Sequence, residues 1–153
     1  MTSIKKVLIV TVIITISFAL LTIFRNNTKY QMTKTVIINN KTIVIEIADT
    51  ENLRRIGLSG RTTLDKNTGM LFVFDQAGIR RFWMKDMKIA LDFLWFNEDS
   101  VVEMDENILP PSRTNNIPAT ISPVVPSKYV LELNSGFIKE HSIHIGDKVE
   151  FNL

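Results

Sequence analysis

The feature that most limits how this chain can fold is an uncharged run of 18 residues, Val7 to Phe24, interrupted only by the hydroxyls of Thr11, Thr15, Ser17 and Thr22. As a helix rising about 1.5 Å per residue it extends roughly 27 Å, close to the roughly 30 Å hydrocarbon core of a bilayer. The expected organisation is a cytoplasmic tail at 1–6, a transmembrane anchor at 7–24, a polar linker at 25–34 and a folded domain at 35–153. A cleaved signal peptide is the competing reading: Lys5 and Lys6 form a charged head, and Ser17-Phe18-Ala19 resembles a small-x-small cleavage site. Leu20 to Phe24 continues the apolar run past that site, which favours an anchor.

Orientation draws on two opposed signals. Lys5 and Lys6 precede the run, but Arg25, Lys29, Lys34 and Lys41 follow it, and the positive-inside rule alone would keep the domain in the cytoplasm. A charged head joined to one N-terminal apolar run is nevertheless the layout of an export signal. The expectation is a single-pass protein of the cell membrane, held through residues 7–24, with its domain outside the cytoplasm.

Charge then needs to be read by region. The chain has 18 Lys and Arg against 16 Asp and Glu, but Lys5, Lys6, Arg25 and Lys29 fall in the first 29 residues, where there is no acid. The remainder carries 14 cations against 16 acids. That balance speaks against a nucleic-acid partner, which requires cations clustered on the folded part. With no cysteine, disulfides, Fe–S clusters, Cys-ligated zinc, thiol nucleophiles and lipoprotein processing are excluded.

The remaining 119 residues suit one domain with its own core. Thr35–Ile38 and Thr42–Ile47, rich in Val, Ile and Thr around Asn39-Asn40-Lys41, read as a hairpin. Asp49 is expected to cap a short helix running through Leu58 and ending at Gly60. Strands are expected at Met70–Phe74, Arg81–Lys85, Ile89–Phe96, Val101–Ile108, Tyr129–Leu133 and Lys148–Asn152. All five prolines fall between Pro110 and Pro126, a segment read as a long loop or a protected edge. The balance is mainly β with one or two short helices.

Side chains alternate along a strand, so Ile89, Leu91, Phe93 and Trp95 share one face while Ala90, Asp92, Leu94 and Phe96 share the other. A turn at Asn97-Glu98-Asp99-Ser100 pairs Phe96 with Val101 and Trp95 with Val102, and sets Asp92 opposite Asp105. Two facing carboxylates among apolar residues require a cation or a shared proton. Arg61, Arg80, Arg81 and Lys85 are the candidates, and a two-residue turn at Asp86-Met87 would set Arg81 opposite Asp92. The pair is read either as a structural ion network or as part of a cleft in which Asp92 binds or deprotonates a ligand. Arg81, Trp83 and Lys85 would share a strand face suited to stacking a sugar or holding an anion, or simply form a half-buried strand with snorkelling cations. His141 and His144 are the only histidines and have no third ligand in sight, so neither a metal nor any other cofactor is expected. No nucleophile elbow supports serine hydrolysis.

Glu51, Arg55, Gly57-Leu58, Arg61, then "GMLFVF", "FWMKDMKIALDFLWF", "YVLELNSG" and "IHIGDKV", from about Thr35 to the C-terminus, resemble the prokaryotic family catalogued as domain of unknown function 192. The resemblance implies a compact barrel-like or sandwich-like antiparallel β domain, often exported or anchored. It also implies shared Arg61, Trp83, Met84, Lys85, Asp92, Glu132 and Gly146-Asp147. The chain departs from the family at Ala90, where proline is usual, and at Asp86-Met87, where Asn-Thr is common. It supplies no reaction. Glu132 alternates with Leu131 and Leu133, so it is expected to line one pocket with Asp92, Arg61 and Lys85. The leading functional expectation is binding of a small-molecule ligand or partner, with envelope carbohydrate in view, through Arg61, Trp83, Lys85, Asp92 and Glu132. The alternatives are a hydrolase or lyase-type enzyme using Asp92 with Glu132 or Asp105, and a structural envelope accessory.

Overall fold

The structure, a computed structural model, describes residues 33–112, 114 and 116–153, together with residue 16. The tail expected at 1–6, all of the expected anchor but residue 16, and most of the linker lie outside the described residues. No helix among the described residues is long and apolar enough to cross a membrane. Lys34–Leu153 folds as one unit.

The chain enters as the expected hairpin, β1 (Thr35–Ile38) and β2 (Lys41–Ala48). Asn39 and Asn40 make its two-residue turn with φ of 49° and 61°, left-handed values that asparagine tolerates and the twist of a tight hairpin requires. Helix α1 (Glu51–Ile56) follows, capped by Thr50 and not by Asp49. Ala48 is still paired to the sheet, so Asp49 serves as the link, and Thr50, in extended conformation, accepts the Leu53 N–H at 3.3 Å. The helix stops at Gly57, three residues before the expected Gly60.

The next strand, β3 (Thr68–Gly78), pairs with β2 in parallel. This corrects the expectation of an all-antiparallel sheet: α1 and the segment after it carry the chain across the sheet before β3 begins, which is what parallel neighbours need. The remaining strands are β4 (Phe82–Trp83), β5 (Leu91–Asn97), β6 (Ser100–Ile108), β7 (Thr120–Ile121), β8 (Ser127–Asn134) and β9 (Val149–Asn152), with helix α2 (Phe137–Glu140) after β8. Seven of them form one sheet in the order β6-β5-β8-β3-β2-β1-β9. Its two edges meet at one end, where the Val101 N–H donates to Asp147 O (3.0 Å), the Val149 N–H to Asp99 O (2.7 Å), and Lys148 pairs with Asp99 at 2.9 Å. The sheet is therefore a curled half-barrel with both faces covered.

One face packs Val36, Ile43, Leu71, Leu94, Phe96, Leu131 and Leu133 against Phe137 and Ile138 of α2. The other packs Met70, Phe72, Phe93, Trp95 and Val130 against Leu58, Met84 and Met87. The strand expected at Arg81–Lys85 shrinks to β4, which pairs with β7 inside the proline-rich segment as a separate two-stranded sheet. Phe82 faces Ile121 and Trp83 faces Thr120, so Arg81 is not opposite Asp92.

The turn between β5 and β6 pairs Phe96 with Val101 as expected, but the register then slips, and Trp95 faces Glu103 rather than Val102. A bulge of one residue exchanges the two faces of everything beyond it. Asp105 consequently lies opposite Phe93 instead of Asp92. The physical reason is on the same face: fully buried Trp95 needs an acceptor, and its Nε1 donates to Asp105 Oδ2 at 2.7 Å.

Asp92, also fully buried, has no cation partner among the described residues. A second irregularity of β6 brings the Asn107 N–H to its Oδ1 at 2.8 Å, and the first turn of α2 brings the Ile138 N–H to its Oδ2 at 3.0 Å. The carboxylate thus fastens the edge strand and α2 to the centre of the sheet. Replacing Asp92 with alanine leaves the buried Ile138 amide and the part-buried Asn107 amide without their acceptor, at about 1–3 kcal/mol for a fully buried one. Equilibrium urea denaturation should therefore show Asp92→Ala less stable by about 2–5 kcal/mol and Asp92→Asn less stable by roughly half as much. A loss under about 0.5 kcal/mol for the alanine variant would contradict this role.

Candidate functional site

Glu46, Met70, Glu132, Phe93 and Asp105 stand side by side across β2, β3, β8, β5 and β6, so all five project from one face of the sheet. Three carboxylates in this row meet three different environments. Asp105 is held by Trp95. Glu46 makes a two-pronged pair with Arg61 at 2.5 and 2.6 Å, and that hydrogen bond holds its carboxyl below the usual carboxylate range while raising Arg61 above its own. Glu132 is buried, and its Oε2 has no hydrogen-bond partner among the described residues. Burial pushes the Glu132 carboxyl up to about 8, against an opposing pull from the Arg61 charge.

Glu132 is in the wall of a cavity of about 370 Å³ between α1 and β4. A volume of this size suits a small organic molecule. The apolar wall comes from Phe72 and Phe74 of β3, Phe82 of β4, and Met87. Phe82 organises it, standing edge-on to Phe72 (5.0 Å), Trp95 (5.3 Å), Phe93 (6.1 Å) and Phe74 (6.4 Å). Such T-shaped contacts set the positive edge of one ring on the negative face of another and fix the cluster's geometry.

Four arginines complete the wall: Arg54 and Arg55 from α1, Arg80 and Arg81 from the connection before β4. Arg80 lies over the Phe74 ring at 4.0 Å and Arg54 over the same ring at 5.1 Å. Backbone carbonyls hold both in place: Arg54 donates to Asp49 O (2.6 Å) and Val73 O (2.8 Å), Arg80 to Gln76 O (2.7 Å) and Ser127 O (3.3 Å). Partial burial and the repulsion of Arg54 lower the Arg80 guanidinium from its ordinary value, and Asp75 opposes that shift. Trp83 also lines the cavity and is 57% exposed, with Lys85 Nζ 5.5 Å from its ring centroid.

The cavity thus unites two of the five residues singled out from the sequence, Trp83 and Glu132. Lys85 reaches it only through its contact with Trp83, and Arg61 lines a neighbouring hollow beside Glu46. Asp92 does not share a pocket with Glu132: Asp92 pairs with Leu133 and Phe93 with Glu132, so the two acids project from opposite faces of the sheet. An acid–base pair of Asp92 with Glu132 is corrected on the same ground, and the bulge separates Asp92 from Asp105. Sequence reasoning missed Arg54, Phe74 and Phe82 as wall residues and did not place Arg80 at the cavity. The Phe72/Phe74 alternation was the available signal for the aromatic wall. Among the described residues no group of three His, Cys, Asp or Glu is placed to hold a metal ion. Chemically, the site offers one carboxyl able to donate or accept a proton, an aromatic wall, and a cationic rim.

Among the solved structures that resemble this domain are two crystal structures. A proposed transcription regulator from Sinorhizobium meliloti 1021 is 30% identical, with 77% of this chain and 91% of that one covered and a TM-score of 0.68. A protein of unknown function from Novosphingobium aromaticivorans DSM 12444 is 29% identical, with 77% and 83% covered and the same TM-score of 0.68. No curated protein matches the chain. The family model described as uncharacterized ACR, domain of unknown function 192, matches residues 34–151. With that match spanning all but the last two residues of the folded unit, the chain belongs to the DUF192 family.

Proposed function

We propose that this is a ligand-binding domain, held outside the cytoplasm by a membrane segment at residues 7–24, and that the cavity between α1 and β4 is its binding site. The observation that carries the reading is the partnerless Oε2 of buried Glu132 in the cavity wall. Leaving a buried acceptor unpaired costs about 1–3 kcal/mol. The two other acids of its row have partners, so the missing donor beside Glu132 is local to the cavity. A ligand that brings a donor removes that cost. An accessory role without a ligand gives no reason to retain it.

The exposed Trp83 ring at the same cavity supports stacking of a flat or sugar-like group, which keeps envelope fragments, carbohydrate included, as the first ligands to try. An enzymatic reading would rest on Glu132 alone, whose raised pKa suits a general acid near neutral pH. The regulator designation of the Sinorhizobium protein suggests nucleic acid, but four of the domain's arginines line a concavity here, and the domain's net charge is slightly acidic.

Trp95 is fully buried, so a change in emission on binding at the cavity should come from Trp83. Titrating the protein with a panel of cell-wall glycans, muropeptides, amino acids and small organic acids should shift that emission for at least one member, and Trp83→Phe should abolish the response. Silence across the panel, in fluorescence and in thermal shift, would sink the proposal.

Glu132 gives a second test. Unfolding exposes it and lets it ionise near pH 4.5, whereas in the fold it keeps its proton to about 8. The unfolded chain binds fewer protons across that window, so the Glu132 contribution falls as pH rises from about 4.5 to about 8 and levels off outside it. Glu132→Gln should remove this slope: equal to the parent within about 1 kcal/mol at pH 4, and more stable at pH 9 by up to roughly 5 kcal/mol. Denaturant titrations of both proteins at the two pH values measure it, and parallel profiles would show that Glu132 is solvated.

A further inference from the structure

The polar groups of the cavity are sorted by sign. Its buried end holds the Glu132 carboxyl, whose Oε2 has no hydrogen-bond partner among the described residues, and its more exposed wall holds four guanidinium groups. The same lining includes Phe72, Phe82 and Met87, which offer no hydrogen bonds of consequence. Arg54 and Arg80 spend only part of their five N–H donors on carbonyls, so both keep donors for a guest. Gly57 keeps the space beside the carboxyl clear: a β-carbon there would come within 3.3 Å of Phe72 Cζ and 4.0 Å of Glu132 Oε2, on a backbone whose φ of +53° already disfavours side chains.

Each simpler guest leaves part of this arrangement unsatisfied. A neutral apolar molecule pairs with neither end. A plain anion answers the arginines and leaves Glu132 unpaired. A plain cation answers Glu132 but must pass four like charges. Resting on the ligand-binding reading above, we infer that the cavity takes a small amphoteric molecule, an amino acid with an apolar side chain. Its ammonium group meets the Glu132 carboxyl, its carboxylate lies among Arg54, Arg80 and their neighbours, and its side chain packs on the aromatic wall.

Binding then moves a proton. The free protein near pH 7 holds Glu132 as the acid, and an incoming ammonium stabilises the carboxylate, so the carboxyl proton leaves to solvent as the ion pair forms. Arg61 is the charge that acts on Glu132; Arg54, Arg55, Arg80 and Arg81 share its cavity, Glu46 and Asp105 stand in its row of the sheet, and Asp75 acts on Arg80. No histidine lines the cavity, so Glu132, raised by burial to about 8, is the wall group placed to give up a proton on binding near pH 7. Proton release should approach one per ligand at pH 6–7 and vanish above about pH 9.

Isothermal titration calorimetry of the full chain, run in buffers of different ionisation enthalpy, tests this with four related probes: L-phenylalanine, L-leucine, 3-phenylpropanoate and 2-phenylethylamine. At least one amino acid should bind about tenfold or more tightly than both single-function probes, with proton release near one at pH 7. Glu132→Gln should bring phenylalanine to the level of phenylpropanoate and end the proton release, while Arg80→Gln should bring it to the level of phenylethylamine. Phenylpropanoate binding as tightly as phenylalanine, or amino-acid binding without proton release, overturns the inference and leaves the ligand-binding reading standing. If none of the four binds, the inference is overturned as well, and the wider panel decides the reading beneath it. The comparison among probes uses the parent protein, so it does not depend on any variant folding.

Discussion

The buried carboxylate of Asp92 ties the helix that covers one face to the strands beneath it, a link the sheet alone does not make. It accepts one amide from the irregular end of β6 and another from the start of α2, and so joins an edge strand, a central strand and a covering helix at one point. Charge-assisted bonds of this kind are about twice as strong as neutral ones, and removal of an acceptor from a dry site leaves its donors exposed to nothing. The consequence reaches the opposite face. Because the two strands β5 and β8 are paired with Asp92 beside Leu133, Glu132 can only project the other way, toward the cavity. Fixing one acid in the scaffold therefore commits the next to the site.

The row of acids on the cavity face shows how little residue type says about role. Glu46, Glu132 and Asp105 share a face and differ only in what the layer above them supplies. Arg61 reaches Glu46, and the bulge delivers Asp105 to the Trp95 indole. Above Glu132 the chain presents Gly57, the residue that ends α1, and α1 itself buries none of its side chains. A helix that covers the sheet without filling the gap beneath it leaves a hollow, and burial without a donor accounts for the high proton affinity of the carboxyl.

Much of the fold was legible because it depends on local chemistry. The Asn-Asn hairpin, the alternation along β5 and β8 and the Phe96–Val101 pairing all follow from turn geometry and side-chain period. What escaped depends on contacts distant in sequence. The bulge after Trp95 answers the hydrogen-bonding need of an indole met ten residues later, and no periodicity within β5 announces it. The parallel pairing of β2 with β3 follows from where α1 and the segment after it deliver the chain. At the site, Trp83 and Glu132 stood out as an aromatic among cations and an acid among leucines. Arg54 did not, because its role rests on lying above Phe74, 20 positions along the chain.

Charge placement links the site to the rest of the molecule. Beyond residue 29 the chain is slightly acidic, yet four of its cations surround one concavity with low-dielectric aromatic walls. Field lines concentrate in such a cleft, so an anion is drawn to the cavity rather than to the surface at large. Attraction of that kind is shared by every anion and falls with salt. Discrimination has to come from a group that is dry and sees only what enters, and Glu132 is the polar group so placed among the residues of this wall. A guest that reaches it without a donor leaves a buried acceptor unpaired, and one that brings a cation converts that cost into an ion pair. The arginines thus set how readily anions arrive, and the carboxyl sets which of them stay.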